Sequence, residues 1–298
     1  MAESVTVRVP ATSANLGPGF DCLGLALALT VDVTLSLAPA KGDAPPIAAL
    51  TVAAAKAAYR EAGQQTPREL SATWRDGRSP RLPVARGLGA SAAARAAGLL
   101  GANALMRGAL SPDELLALGA ELETHADNMA PALFGGLQIV ARDGDRWLRL
   151  TVPLPRGLKV VLFVPDFEMP TQESRRRLPR RLSREDAVFN VGRAALLVGA
   201  LAQGRWELLD AATQDRLHQP ARAEIFPALP DIFAAAKEAG AHAAYLSGAG
   251  STVAALATGR EERIARLMQQ AAVARGYSGR AIITEPSEDG AEIVERKT

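Results

Sequence analysis

The residues best suited to chemistry lie in a few short stretches of a 298-residue chain. The first is Pro10-Ala-Thr-Ser-Ala-Asn-Leu-Gly-Pro-Gly-Phe-Asp21. Gly17, Pro18 and Gly19 favour a tight turn, and Thr12, Ser13, Asn15 and Asp21 can aim short polar groups at a small ligand. An ordinary polar loop has the same composition. The second is Pro83-Val-Ala-Arg-Gly-Leu-Gly-Ala-Ser-Ala-Ala-Ala94. Gly87 and Gly89 let the backbone turn closely around an anion, and the helix that follows points its free N–H groups at the same place. The stretch lacks the Gly-Lys-Ser/Thr ending of a P-loop, and Gly-x-Gly-x-x-Gly occurs nowhere in the chain. A plain glycine-rich helix start is the alternative.

The third stretch, Glu121-Leu-Glu-Thr-His-Ala-Asp-Asn128, gathers acid, imidazole, carboxylate and amide at a helix end. A hard divalent cation on a nucleotide takes oxygen ligands, usually one carboxylate plus phosphates and water. Glu121 and Glu123 are rivals for that role, since about 200° of helical rotation separates them. A solvated acid and a histidine serving the helix dipole are the plainer readings. Further on, Thr171-Gln-Glu-Ser-Arg175 opens a run of six arginines ending at Arg184, and Arg222 closes His218-Gln-Pro-Ala-Arg222. An arginine fork fits a carboxylate in two parallel hydrogen bonds. The arginine run could also serve an anionic polymer or membrane, but is most simply a solvated loop. Ser247-Gly-Ala-Gly-Ser-Thr-Val253 reads as a glycine-rich turn between two strands.

These groups need elements to position them. Residues 4–9 and about 24–38 alternate as strands, the second through Val31-Asp-Val-Thr-Leu-Ser-Leu37. Residues 46–62 form an Ala-rich helix stopped by Gly63, residues 70–74 a strand, and residues 90–107 a helix ending at Gly108. Ser111-Pro-Asp-Glu114 is a capping box opening a third helix, with Leu115, Leu118 and Leu122 on one face. Residues 136–140 and 147–152 pair as a hairpin around Asp143-Gly144. The second half reads strand (159–164), helices (184–203, 206–217, 231–239), strands (243–246, 252–257), helix (260–275) and strand (279–284). Helices beside antiparallel strands make an α+β architecture. Val152-Pro-Leu-Pro-Arg-Gly157 suggests a boundary, with domains at 1–155 and 156–298. No internal repeat or long low-complexity tract occurs.

Composition bounds the function. Hydrophobic content of 48% with 22% charged suits a globular chain long enough for a sizeable core. A net charge of +2 argues against wholesale nucleic-acid binding. Only five of the 34 basic residues are Lys, an Arg bias that reads, with the Ala richness, as genomic base composition. One cysteine, Cys22, excludes an internal disulfide and a cysteine-based metal cage. No run of about 18 apolar residues could span a bilayer, and the first residues lack a signal peptide's apolar core. The expectation is a cytoplasmic protein with no nucleic-acid or membrane partner.

The wording of the stretches resembles homoserine kinases of the GHMP kinase superfamily. Residues 10–21 are similar to that family's N-terminal signature. The second stretch resembles the GHMP phosphate loop, usually Pro-x-x-x-Gly-Leu-Gly-Ser-Ser-Ala. Ala90 replaces its first Ser, and Ser91 keeps the second, which in the family lies nearest the metal. His125, Asp127 and Asn128 match a Glu-Gly-His-Pro-Asp-Asn-like stretch in which Thr124 and Ala126 replace Gly and Pro, and Glu123 falls on the family Glu. Thr171 and Arg175 match a further segment. Arg222 ends one resembling His-Glu-Pro-Tyr-Arg, with Ala221 for Tyr, and Ser251 replaces Pro in the third GHMP motif.

The resemblance implies a two-domain α+β GHMP kinase fold. An ATP-binding N-terminal domain is ribosomal-protein-S5-domain-2-like, the C-terminal domain is ferredoxin-like, and the site lies between them. It implies phosphoryl transfer from ATP, with Mg²⁺, to the hydroxyl of L-homoserine, a step toward threonine. By the same resemblance Pro83, Arg86, Gly87, Leu88, Gly89, Ala90, Ser91, Ala92 and Ala93 bind ATP, while Ser91 and Glu123 hold the metal. Asp21 meets the substrate ammonium, Arg175 and Arg222 its carboxylate, and Asn15, His125 and Asp127 orient it. Ser91, Glu123 and Thr171 stabilise the transferring charge. Asn128 stands where several relatives carry an Asp base, so the hydroxyl proton is expected to pass to the phosphate or to water. Ala90 is expected to alter nucleotide affinity more than activity. A kinase for another small alcohol, or a non-catalytic nucleotide sensor, fits the same fold; one acid with two arginines suits a zwitterion. A homodimer is left open.

Overall fold

The computed structural model describes residues 3–40, 45–76 and 82–297. Two long strands, β1 (Ser4–Asn15) and β2 (Gly19–Ser36), run antiparallel from the start. The expected strands therefore extend into the 10–21 signature, which is two strand ends around a tight turn and not a polar loop. Pro10 has no N–H to give the ladder, and the register shifts between Pro10 and Ala11. Asn15, Leu16 and Asp21 take φ of 70°, 48° and 57°, which folds the turn back on itself.

Next come α1 (Ala48–Glu61), β3 (Ser71–Asp76), α2 (Ala90–Leu105), α3 (Pro112–Glu123), α4 (Met129–Phe134), β4 (Leu137–Asp143) and β5 (Arg146–Val152). The capping box at Ser111 forms as read, with Ser111 and Glu114 each bonding the other's backbone N–H. Continuing, the chain forms β6 (Lys159–Pro165), α5 (Thr171–Arg176), α6 (Arg184–Gln203), α7 (Leu209–Ala212), α8 (Gln219–Ala223), α9 (Leu229–Ala239), β7 (Ala243–Leu246), β8 (Val253–Ala257), α10 (Glu261–Ala274), β9 (Gly279–Thr284) and β10 (Glu292–Lys297). One sheet has the order β10-β1-β2-β4-β5 with β3 also paired to β2; the other has the order β7-β8-β6-β9.

Two expectations change. Residues 206–217 do not form one helix. A 3₁₀ turn (Trp206–Leu208) and α7 give way to an irregular segment around Asp215. This buried carboxylate accepts from the backbone N–H groups of Leu217, His218 and Gln219 at 3.0, 2.8 and 2.7 Å, and those bonds compete with a continuing helix. In addition, the charged strand β10 returns to pair with β1, so a cut at residue 155 does not sort the chain into two sequence-contiguous units.

Alanine lets α2 lie close on α1, β1 and β2, and a Cβ at Gly98 would come within 2.1 Å of the Thr51 carbonyl oxygen. Val160, Leu162 and Val164 of β6 join this first core, whereas Val161 and Phe163 pack beneath α9 and α10. Burial on both faces explains why β6 is a continuous apolar run. Among the described residues no helix is long and apolar enough to cross a membrane.

Candidate active site

A cavity of about 590 Å³ opens where the first turn of α2, the end of α3, the β1–β2 turn and the start of α5 converge. Its floor is the glycine loop. Gly87 and Gly89 hold φ of 75° and 67°, and Gly89 is the N-cap of α2 without a side-chain cap. Added Cβ atoms would sit 2.1 Å from the Ser247 carbonyl oxygen and 1.8 Å from Thr12 Oγ1, so both glycines are required by conformation and by contact. The uncapped helix start leaves N–H groups for an anion.

Three glycine-containing segments interlock behind this loop. Ser247 Oγ donates to the Gly87 carbonyl (2.6 Å) and lies 2.8 Å from Ser13 Oγ. Asn15 Nδ2 donates to the Gly248 carbonyl (2.9 Å), while Asn15 Oδ1 accepts from the Asp21 N–H (3.1 Å). The Ser247–Val253 turn thus ties the phosphate loop to the N-terminal signature.

On the α3 side, Ser91 Oγ donates to Glu123 Oε1 (2.6 Å). The Arg95 guanidinium, one turn along α2, bonds both groups. Glu123 therefore faces the phosphate loop, whereas Glu121 lines a separate hollow with Arg142 and Trp147. Among the described residues no cluster of three or more His, Cys, Asp or Glu could hold a metal. One hydroxyl and one carboxylate, both hard oxygens beside an anion cradle, do suit Mg²⁺ that arrives on a nucleotide.

The same cavity is lined by a charged cluster. Asp21 and Arg175 form a two-point ion pair, Nη1–Oδ2 2.9 Å and Nη2–Oδ1 2.5 Å. Arg222 is only 1% exposed. Its Nε donates to Ser174 Oγ (2.7 Å), and its Nη1 to His218 Nδ1 (2.7 Å) and the Gly248 carbonyl (2.9 Å). Both guanidinium groups sit over Phe20, 5.2 and 5.6 Å from its ring centroid. His125 Nδ1 and Asp127 Oδ1 are 2.5 Å apart. Burial acts most strongly on His125 and favours the neutral ring, but the bond and charge of Asp127 together outweigh it, raising its pKa above the ordinary value. Asn128 is held at both ends, accepting from Thr12 Oγ1 (2.8 Å) and donating to Asp127 Oδ1 (3.3 Å).

Behind Arg222, the Gly17 carbonyl can only accept, so His218 carries its proton on Nε2 (2.7 Å) and accepts from Arg222 on Nδ1. Burial, with the Arg222 charge adding to it, pushes the His218 pKa down to about 4. Between roughly pH 6.5 and 4 the unfolded chain then binds a proton that the folded one refuses. Stability is complete above that window and falls through it as pH drops, by roughly 3 kcal/mol. Urea titrations from pH 7.5 to 4.5 should show a steeper acid loss for the wild type than for His218→Gln; equal slopes would remove His218 from the account.

Of the residues expected to form the site, Asn15, Asp21, Gly87, Leu88, Gly89, Ala90, Ser91, Ala92, Glu123, His125, Asp127, Asn128, Thr171, Arg175 and Arg222 all line the one cavity. Pro83, Arg86 and Ala93 do not. Ala93 is fully buried in the core, and Arg86 reaches away to the Pro165 and Asp166 carbonyls (3.0 and 2.6 Å), anchoring the loop to the end of β6. The sequence reading missed Arg95, Thr12 as the partner of Asn128, and Phe20 as a platform for two arginines. Arg95 carried a signal, as the only charged side chain on α2.

Known proteins resemble this chain along its length. Residues 49–136 match the GHMP kinases N terminal domain, and residues 197–274 match GHMP kinases C terminal. Homoserine kinase of Moorella thermoacetica is 40% identical, covering 97% of this chain and 99% of that one. Homoserine kinase of Carboxydothermus hydrogenoformans is also 40% identical, over 96% of each. The crystal structure of homoserine kinase from Cytophaga hutchinsonii superposes with a TM-score of 0.85 at 28% identity, covering 99% of this chain and 98% of that chain. The two-sheet fold, the glycine cradle and this likeness along the whole chain have one explanation: the chain belongs to the homoserine kinase family of GHMP kinases.

Proposed function

We propose that the protein transfers the γ-phosphoryl group of ATP to the hydroxyl of L-homoserine, giving O-phospho-L-homoserine, a step in threonine biosynthesis. The observation that carries this reading is one cavity lined both by an anion cradle and by Asp21, Arg175 and Arg222. Pro46, Ile47, Leu50 and Leu122 give the cavity an apolar border suited to the base. ATP and a free amino acid as co-substrates fit a cytoplasmic enzyme.

Each residue then has a task. The backbone of residues 87–91 receives the phosphates, and Thr171 faces the group in transit. Ser91 and Glu123 would hold Mg²⁺, which when bound neutralises phosphate charge. Asp21 and Arg175 neutralise one another until a zwitterion enters, offering its ammonium to Asp21 and its carboxylate to Arg175 and Arg222. A neutral alcohol would break that two-point pair and replace neither half. Asn15, His125 and Asp127 orient the acceptor. Asn128 has no basic lone pair to give, and the charged form of His125, favoured by Asp127, has none either. The hydroxyl proton therefore leaves to the phosphate or to water, as a loose phosphoryl-transfer transition state allows.

A coupled ADP-release assay over a panel of amino acids and alcohols tests this. Homoserine should give the highest kcat/KM, and a neutral diol preferred over homoserine would defeat the proposal. In the same assay Asp21→Asn should lower kcat/KM for homoserine by roughly 10- to 150-fold, the scale of one charge-assisted hydrogen bond. The loss should be smaller for an acceptor without an amine. Equal losses would mean that Asp21 only shapes the turn.

A further inference from the structure

Glu123 faces the place of a metal, yet the cation that touches it belongs to the protein. Arg95 bonds both Glu123 Oε1 and Ser91 Oγ, an oxygen of each group that would meet the metal. The Glu123 and Arg95 side chains are 9% and 18% exposed, so a bare carboxylate here would be poorly solvated. Arg95 can release this oxygen only by moving its side chain. Mg²⁺ demands oxygen ligands at about 2.0–2.1 Å in near-octahedral geometry, so a guanidinium bonded to both groups crowds its approach to them. Two cations on one carboxylate oxygen would also repel each other strongly at such separations.

We propose that Arg95 is a displaceable counter-ion. It neutralises Glu123 while no metal is present and competes with a divalent cation for that carboxylate. Arg95 lines the same cavity as Gly87 and Gly89, so incoming phosphates supply the anion to which it turns. The metal is thereby disfavoured alone and accepted with its nucleotide. This inference rests on the assignment of Glu123 as metal ligand, and the two are tested separately.

The probe is Mn²⁺, titrated into nucleotide-free protein with free ion read by electron paramagnetic resonance. Arg95→Met should bind Mn²⁺ about tenfold or more tightly than the wild type, the scale of one charge-assisted hydrogen bond. Adding Glu123→Gln should erase the gain. Arg95→Gln, which keeps donors for Ser91 and Glu123 but no charge, should show the same gain and serves if Arg95→Met folds poorly. Mn²⁺ affinity unchanged in the folded Arg95 variant overturns the proposal, even if Glu123→Gln weakens Mn²⁺ in the ADP complex and so upholds the metal ligand. Unaltered Mn²⁺ binding to the ADP complex of Glu123→Gln removes the metal ligand and the counter-ion with it.

Discussion

Arg222→Lys should raise the KM for homoserine by roughly 10- to 150-fold, the scale of one charge-assisted hydrogen bond, with the KM for ATP changed little. The reason is geometric. Arg222 lines the cavity and spends Nε and Nη1 on Ser174, His218 and the Gly248 carbonyl, while Nη2 makes no bond to another described residue. One lysine nitrogen cannot reach all three partners and a substrate as well. Burial is the larger influence on the guanidinium and Arg175 adds to it, lowering its pKa to about 10, which still leaves it charged at neutral pH. A lysine begins nearer 10.4 and would lose its charge more readily in the same place. Arg222→Met should also lower the melting temperature, since it leaves His218 Nδ1 unpaired in the interior and the Gly248 carbonyl with Asn15 Nδ2 as its one remaining partner. A folded Arg222→Lys enzyme with an ordinary KM for homoserine would mean that the carboxylate binds elsewhere.

Glu123→Gln should lower kcat by on the order of 10²–10³-fold, typical of removing one electrostatic stabiliser beside a reacting group, and leave the KM for homoserine near the wild-type value. Asp21, Arg175 and Arg222 make none of their bonds to Glu123, so acceptor binding does not pass through it. Glu121→Gln is the control, because that side chain opens onto the other hollow. Should Glu121→Gln be the inactive enzyme and Glu123→Gln the active one, the metal ligand lies two residues earlier.

Much of this was legible in the sequence because local rules and tertiary needs agree. The capping box, the Ala-rich helices and the β4–β5 hairpin obey short-range signals. The glycine loop is recognisable because only glycine tolerates approaches as close as those at Gly87 and Gly89. Where long-range packing decides, the reading fell short. Asp215 takes three backbone N–H groups and unravels what periodicity presents as one helix. The helices α4, α5 and α8 have six, six and five residues, too few to show a period. Arg86 looks like a phosphate ligand by its place beside Gly87, yet its direction is set by carbonyls at the end of β6, seventy-nine and eighty positions away. The Asp21–Arg175 pair joins residues 154 apart, so no spacing rule reveals it.

The strand β10 has a consequence for biosynthesis. Val5 lies opposite Arg296 and Thr6 opposite Glu295, so a ribosome makes one partner nearly three hundred residues before the other. At ordinary rates of about 5–20 residues per second, the outer flank of β1 waits roughly 15–60 s for its cover. During that interval its unpaired N–H and C=O groups could recruit a strand from a neighbouring nascent chain. Arg8 guards this flank with a charge, paired to Asp32 of β2 and lying 3.9 Å from Glu292 of β10 in the finished fold. A charge far from the cavity thus has a task while the chain is still being made.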